Sequence, residues 1–297
     1  MMNTLMKVVL GIVGSFAALV AIGWVGLQIP SRIVTPSTKK SQNRGTVRIP
    51  VNLPAPVRRY LQVALGDQAP RLESVVFWGR ARANFGIWMP LRYQLYHRVG
   101  YDFRRDMQVT WFGLPVLKAI DQYVNGKGMT GLVGRADTGA RVDQGSNMIL
   151  FAEAPLYPSL CVTDPRIRWE VIDETSARLL FPFGEEEDSL TVYFDPQTNL
   201  ITKMTALRYR GTEPEKLPWR VDFLRWQTVD GMTIPSQVSI TWEDQGRPWS
   251  VWEFAGVAWN VDVSDALPVT LSTWVSESEK FVEVMVNPVL AQTQAVQ

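Results

Sequence analysis

Leu91-Arg92-Tyr93-Gln94-Leu95-Tyr96-His97-Arg98-Val99 alternates apolar and largely polar side chains. A period of two places Leu91, Tyr93, Leu95, His97 and Val99 on one face, which reads as an antiparallel strand with that face on a core. The same period extends outward from it. Residues 72–83 and 108–112 read as strands, and 118–124 and 129–133 flank Asn125-Gly126-Lys127-Gly128, a Gly-bearing hairpin connection. In the second half, strands are expected at 166–172, 176–181, 190–194, 200–209, 219–229, 233–242 and 249–259. Asp195-Pro196-Gln197-Thr198-Asn199, Asp230-Gly231 and Asp244-Gln245-Gly246 supply the turn chemistry between them. There is no repeat of fixed period.

Helices are few. Pro54 and Pro56 mark the start of a short one, with Val57, Tyr60, Leu61, Ala64 and Leu65 on a single face and Gly66 as its stop. Residues 147–154, ahead of Pro155, and 158–161 suggest two more helical pieces. The fold class is mainly β (α+β): a meandering antiparallel sheet with a few short helices.

A different pattern precedes the sheet. From Val8 to Leu27 the only polar residue is Ser15. Twenty apolar residues at 1.5 Å rise cross a hydrocarbon core of roughly 30 Å as one helix. The run is longer than the 7–15 residues of a secretory signal core, and the apolar stretch continues past Ala21-Ile22-Gly23, its nearest approach to a cleavage pattern. It therefore reads as an uncleaved, single-pass anchor, with membrane lipid as its partner. The expected organisation is an anchor at 1–29, a basic Pro/Ser/Thr spacer at 30–50, one β-rich domain at 51–288 and a polar tail at 289–297.

Charge is distributed unevenly. Residues 1–50 carry Lys7, Arg32, Lys39, Lys40, Arg44 and Arg48 and no acid. The remaining chain has 24 basic and 29 acidic residues. The basic block sits where anionic lipid attracts it, and the mildly acidic domain argues against a nucleic-acid partner. The positive flank after the span argues for a cytoplasmic domain. Exported domains on N-terminal anchors argue for the extracytoplasmic side, which is the placement expected here.

The sequence offers little for catalysis. With a single His97 and a single Cys161, neither a disulfide nor a multi-His/Cys zinc site is expected, and no cofactor is implied. His97 shares the face of Leu91, Tyr93, Leu95 and Val99, the position of a core histidine. The chain lacks a Gly-x-Ser-x-Gly elbow, a P-loop and a dinucleotide fingerprint. Glu185-Glu186-Glu187-Asp188 lacks calcium-loop spacing and reads as a solvated turn. Asp121, Glu153, Glu170 and Asp173 lie among apolar residues, and a pair of them is the minimum for a carboxylate-based hydrolase.

Two resemblances follow from particular stretches. Leu150-Phe151-Ala152-Glu153-Ala154-Pro155-Leu156-Tyr157-Pro158-Ser159-Leu160, with Trp169 and Asp173, resembles a bacterial family of uncharacterised membrane-anchored proteins, a domain of unknown function. Leu53-Pro54-Ala55-Pro56-Val57-Arg58-Arg59-Tyr60-Leu61, Gly126-Lys127-Gly128, Pro218-Trp219 and Gly231-Met232-Thr233-Ile234-Pro235 support it, over about residues 53 to 260. That family brings no catalytic residues. Tyr193-Phe194-Asp195-Pro196 through Lys203-Met204, then Val229 to Pro235, is similar to hairpins of lipoprotein-carrier-like domains. The likeness implies a curved half-barrel sheet over an apolar cavity, capped by helices and used to hold acyl chains. The anchor and the missing lipid-attachment cysteine depart from it, and imply holding or presenting a ligand rather than shuttling it.

The expected function is a non-enzymatic, membrane-tethered domain that binds a lipid, acyl chain or other hydrophobic ligand at the membrane surface. Twelve tryptophans, eleven outside the anchor, supply candidate cavity rings: Trp78, Trp88, Trp111, Trp169, Trp226 and Trp242, with Tyr60 and Glu153 on capping segments. The alternative is a solid-core domain that binds an envelope protein partner, and a carboxylate hydrolase is third.

Overall fold

Two meanders make the sheet. A computed structural model describes residues 4–37, 44–132, 134–267 and 269–286. After a small ladder of β1 (Thr46–Arg48) with β2 (Gln68–Pro70), the first meander runs through β3 (Ser74–Asn84), β4 (Trp88–Arg98), β5 (Asp102–Trp111), β6 (Leu114–Val124), β7 (Lys127–Leu132) and β8 (Arg135–Thr138). The second runs through β9 (Arg168–Val171), β10 (Ser176–Phe183), β11 (Glu186–Phe194), β12 (Ile201–Tyr209), β13 (Lys216–Val229), β14 (Met232–Trp242) and β15 (Arg247–Trp259). Each strand pairs antiparallel with its sequence neighbour, and β15 pairs with β3, so the two meanders join into one open sheet of thirteen strands edged by β8 and β9.

The hairpins form where the turn chemistry dictates. Asn125-Gly126 and Asp230-Gly231 each place two successive residues at positive φ, the conformation that matches strand twist. Phe112-Gly113 does the same between β5 and β6, with φ of 51° at the phenylalanine. A bulky residue in that region is uncommon and is held there by its surroundings.

Those surroundings are the apolar helix α1 (Thr4–Gln28). The Phe112 N–H donates to the Gly26 carbonyl at 2.9 Å, and Trp111 Nε1–H donates to the Gly23 carbonyl at 3.0 Å. Gly26 has no Cβ because one would stand 2.2 Å from the Trp111 ring. The chain then follows the sheet: Ser31 Oγ lies 2.7 Å from Thr110 Oγ1, and Gln94 Nε2 donates to the Val34 carbonyl at 3.2 Å. The described part of the basic segment is thus laid against β4 and β5, while Lys39 and Lys40 fall outside the described residues, as do Val133 and the tail at 289–297. Within α1, residues Val9–Gln28 are long and apolar enough to cross a membrane, and side chains such as Phe16 and Leu19 are about two-thirds exposed.

Three helices and a 3-10 turn lie on the inward face of the sheet. Helix α2 (Ala55–Leu65) buries Val57, Tyr60, Leu61, Ala64 and Leu65, the face expected from their spacing. Helix α3 (Ala140–Ala152), a 3-10 turn at Ala154–Leu156 and α4 (Leu160–Thr163) carry the chain from edge β8 to edge β9. Helix α3 rests on β7 and β12. On another part of the sheet, α5 (Leu271–Val286) sets Trp274 against Ile120, Met129 and Val269.

Three of these elements differ from the sequence reading. Strand β5 begins at 102 rather than 108, because Arg104, Arg105 and Asp106 break the alternation. Helix α3 begins at 140 rather than 147, because its buried side chains include Asp143, Gln144, Ser146 and Asn147. The acids Glu186, Glu187 and Asp188 belong to β11 rather than to a turn. Strand β8 and helix α5 carry no pattern that the period-two reading registers.

At the α2 end the interior is filled. Tyr60 is fully buried, with ring centroids 5.9 Å from Phe194 and 6.2 Å from Trp226, and its hydroxyl has no hydrogen-bond partner. Packing rather than hydrogen bonding fixes this ring. Tyr60→Phe should leave the denaturation midpoint unchanged or raise it, whereas Tyr60→Ala should cost about 3–5 kcal/mol in chemical denaturation.

Candidate ligand cavity

The opposite end of the same interior is hollow. A cavity of about 800 Å³ lies between the two meanders under α3. Small-molecule sites span roughly 300–1,000 Å³. Leu91, Tyr93, Leu95, Met107 and Val109 line it from the first meander, and Trp219, Val221, Phe223, Val238, Ile240, Trp242, Trp252 and Phe254 from the second. Ile149, Ala152 and Leu156 line it from the connecting segment. All the strand residues share the inward parity that begins at Leu91. Ring contacts stiffen the wall, Tyr93 meeting Trp252 edge-on at 5.0 Å. Gly79 leaves room for this, since a Cβ there would stand 2.0 Å from the Glu253 carbonyl that accepts the Tyr93 hydroxyl.

The rim is formed at one end of the strands. Phe85, Arg135, Arg210, Gly211 and Gln245, together with Trp249, line the cavity from the turns β3–β4, β7–β8, β12–β13 and β14–β15 or beside them. The β5–β6 turn, which holds α1, lies at this same end. Phe85, Ile87, Trp111 and Leu114 are 58%, 44%, 41% and 61% exposed there.

Deeper in, a polar cluster interrupts the apolar wall. Arg105 of β5 reaches Asp121 of β6, Nη1 to Oδ2 at 3.3 Å, and bonds Glu153 at the C-terminal end of α3 through Nη2. Arg105 also lies over the Trp252 ring at 4.9 Å. Glu153 Oε2 is 3.0 Å from His97 Nε2. The other ring nitrogen of His97 is 3.2 Å from the Tyr157 hydroxyl, which donates to the Leu150 carbonyl at 3.0 Å. On β12, Arg208 faces the cavity and donates Nε–H to the Gly145 carbonyl at 2.8 Å. Burial drives the protonation of this cluster. It pushes Asp121 above the usual carboxylate range despite the opposing pull of Arg105 and Arg208, and it lowers Arg208 to about 10. Burial, and secondarily the Arg105 charge, hold His97 well below an ordinary histidine.

The arrangement brings two of the sequence-expected residues to the cavity, Trp242 and Glu153. Trp226 and Tyr60 sit together in the filled end. Trp78 lies over Gly256, on the parity opposite to the inward Phe77. Trp88 is half-buried at the start of β4, Trp111 docks on α1, and Trp169 packs half-buried on edge strand β9. Of the four acids, Asp121 and Glu153 meet at Arg105, while Glu170 and Asp173 are exposed. Cavity residues not anticipated are Trp219, Trp249, Trp252, Arg105 and Arg208. Strand parity was the signal for two of them: Trp219 falls in step with Val221 and Phe223, and Trp252 with Phe254. Among the described residues no group of three His, Cys, Asp or Glu side chains converges as a metal site.

Residues 47–254 match the model of a family of unknown function, DUF6544. The chain belongs to this family. No curated protein matches its sequence. Among solved structures, a DUF1329 family protein from Desulfovibrio piger is 13% identical, with a TM-score of 0.40 over 71% of this chain and 93% of that one. A LolA superfamily protein from Nitrosomonas europaea is 10% identical, with a TM-score of 0.43 over 72% and 96%. A putative outer membrane lipoprotein-sorting protein domain from Vibrio parahaemolyticus is 7% identical, with a TM-score of 0.37 over 69% and 90%. What the cavity can hold is decided by its own walls.

The buried histidine gives this DUF6544 chain a measurable pH response. Folding holds His97 neutral, whereas an unfolded histidine takes up a proton below about pH 6.5. The unfolded chain therefore binds more protons below that pH, and stability present above it is lost as the pH falls, by up to about 1.4 kcal/mol per pH unit. Thermal denaturation from pH 7.5 to 5 should show a shallower decline in His97→Gln than in wild type. Tyr157→Phe, which deprives His97 and the Leu150 carbonyl of their partner, should cost about 1–3 kcal/mol at pH 7.5.

Proposed function

We propose that this is a single-pass, membrane-tethered binding domain on the extracytoplasmic side that holds the apolar chain of a membrane lipid or lipid-like molecule in the cavity. The observation that carries the reading is the position of the cavity: about 800 Å³, walled by apolar side chains, with its rim at the end of the sheet where α1 docks. If α1 spans the bilayer, the rim and its exposed Phe85, Ile87, Trp111 and Leu114 meet the lipid headgroup layer, where aromatic rings are favoured. A lipid chain then passes from one apolar phase to another without crossing bulk water. Transfer of methylenes out of water is worth about 0.8 kcal/mol each, which an occupied cavity retains and an empty one forgoes. The competing expectation, a solid-core interaction domain, called for a filled interior. Asp121 and Glu153 are both engaged by the same arginine, which fits a structural role in the wall better than a free acid–base pair.

Photo-crosslinking tests the reading on the full chain. Reconstituted in vesicles containing a phospholipid with a diazirine in its acyl chain, the protein should be labelled at interior positions such as Val221, Phe223 and Val238 as well as along α1. Val238→Trp, which narrows the trough, should reduce the interior labelling and spare that of α1. Labelling confined to α1 and the hairpin tips in wild type would refute the proposal.

A further inference from the structure

Arg208 feels the charges of Asp121 and Arg105 but is bonded to neither. It lies one residue before the end of β12, faces inward and is half-buried. Its guanidinium is set over two rings, 5.0 Å from the Trp219 centroid and 5.4 Å from that of Trp242. Its Nε–H is spent on the Gly145 carbonyl. Among the described residues no carboxylate lies within ion-pair distance of it: Asp121 and Glu153 are bonded to Arg105. Arg210, two positions on, makes the contrast, being bound to both Glu213 and Asp244.

The two Nη groups of Arg208 are therefore donors without a protein acceptor, on a cation fixed in orientation by Trp219 and Trp242. Burial lowers its pKa to about 10, so it is charged at neutral pH. A partly desolvated cation gains from an anion that meets it. A guanidinium fork presents two parallel N–H donors that match the oxygens of a carboxylate or a phosphate.

We propose that Arg208 receives the anionic head of the ligand, so that the cavity selects amphiphiles bearing a carboxylate or phosphate over neutral ones. This rests on the cavity reading above and specifies its ligand class. The acyl chain occupies the trough lined by Val221, Phe223, Val238 and Phe254, and the head sits beside Trp219 and Trp242.

The test uses the full chain in nanodiscs of phosphatidylcholine and follows quenching of tryptophan fluorescence by 9,10-dibromostearate and by the corresponding dibromostearyl alcohol. In wild type the acid should half-quench at a concentration at least tenfold below that of the alcohol. In Arg208→Gln the acid-to-alcohol ratio should fall to near one. Arg208→Lys, which keeps the charge and loses the fork, should retain part of the preference and serves if the glutamine variant does not fold. An acid-to-alcohol ratio that is near one in wild type, or is unchanged in both variants, overturns the assignment while leaving the cavity reading intact. Absence of quenching by either compound in a Trp24→Phe/Trp111→Phe background, which removes the rings nearest the bilayer, overturns both. A brominated lysophosphatidylglycerol identifies the source: behaviour like the acid assigns a phosphate-bearing membrane lipid, and behaviour like the alcohol a free carboxylate.

Discussion

The connection from β8 to β9 has to cross an open sheet from one edge to the other, and polar bonds fix where its apolar side chains, Met148, Leu150 and Phe151 among them, pack into the core. Arg105 ties Glu153, at the end of α3, to the floor of the sheet through β5 and β6. At the other end of α3, Asp143 accepts the Gly128 N–H at 2.7 Å and binds Lys127 at 3.1 Å. Between them, Asn147 donates to the Pro182 carbonyl and Arg208 donates to that of Gly145. Gly128 permits the close seat, since a Cβ there would stand 2.5 Å from the Val142 carbonyl. These contacts fix the helix at both sides of the trough and leave the space between them unfilled. Where α2 covers the sheet by apolar packing, around Tyr60, no such space remains. Buried ionic contacts add little net stability when compared with an apolar substitute, but they specify one geometry. Here that geometry is a helix held across a trough.

The second organising feature is the direction in which the trough opens. In an antiparallel meander alternate turns share an end, so the turns that rim the cavity and the β5–β6 turn that grips α1 fall together. The grip is specific: two hydrogen bonds from Trp111 and Phe112 to backbone carbonyls of α1, a glycine that admits the rings, and a phenylalanine held at positive φ. A loose tether would let the domain tumble relative to its anchor. This contact sets the cavity rim beside the end of the apolar helix.

Much of the sheet was legible because its outer and inner faces differ in polarity, and the turns at Asn125-Gly126 and Asp230-Gly231 need residues that tolerate positive φ. Helix α2 was legible for the same reason, its buried face being wholly apolar. The site was less legible because it breaks those rules. Arg105 and Arg208 face inward where the alternation calls for apolar residues, and Arg105 with its neighbours Arg104 and Asp106 conceals the first half of β5. The buried polar face of α3 hid two of its turns. A tally of rings carries no register: Trp242 lines the cavity beside its cross-strand partner Trp219, whereas Trp78 faces the outer side and Trp111 faces α1. Glu153 stands out in the sequence as an acid among apolar residues, whereas its partner Arg105, 48 positions away, is joined to it only by the fold.

The most direct measurement is native mass spectrometry of residues 45–297, purified without detergent, with organic extraction of whatever is bound. The account predicts a mass raised by one lipid-sized molecule per chain, released by the solvent. A clean apo mass that stays unchanged after incubation with membrane lipid extract would contradict it.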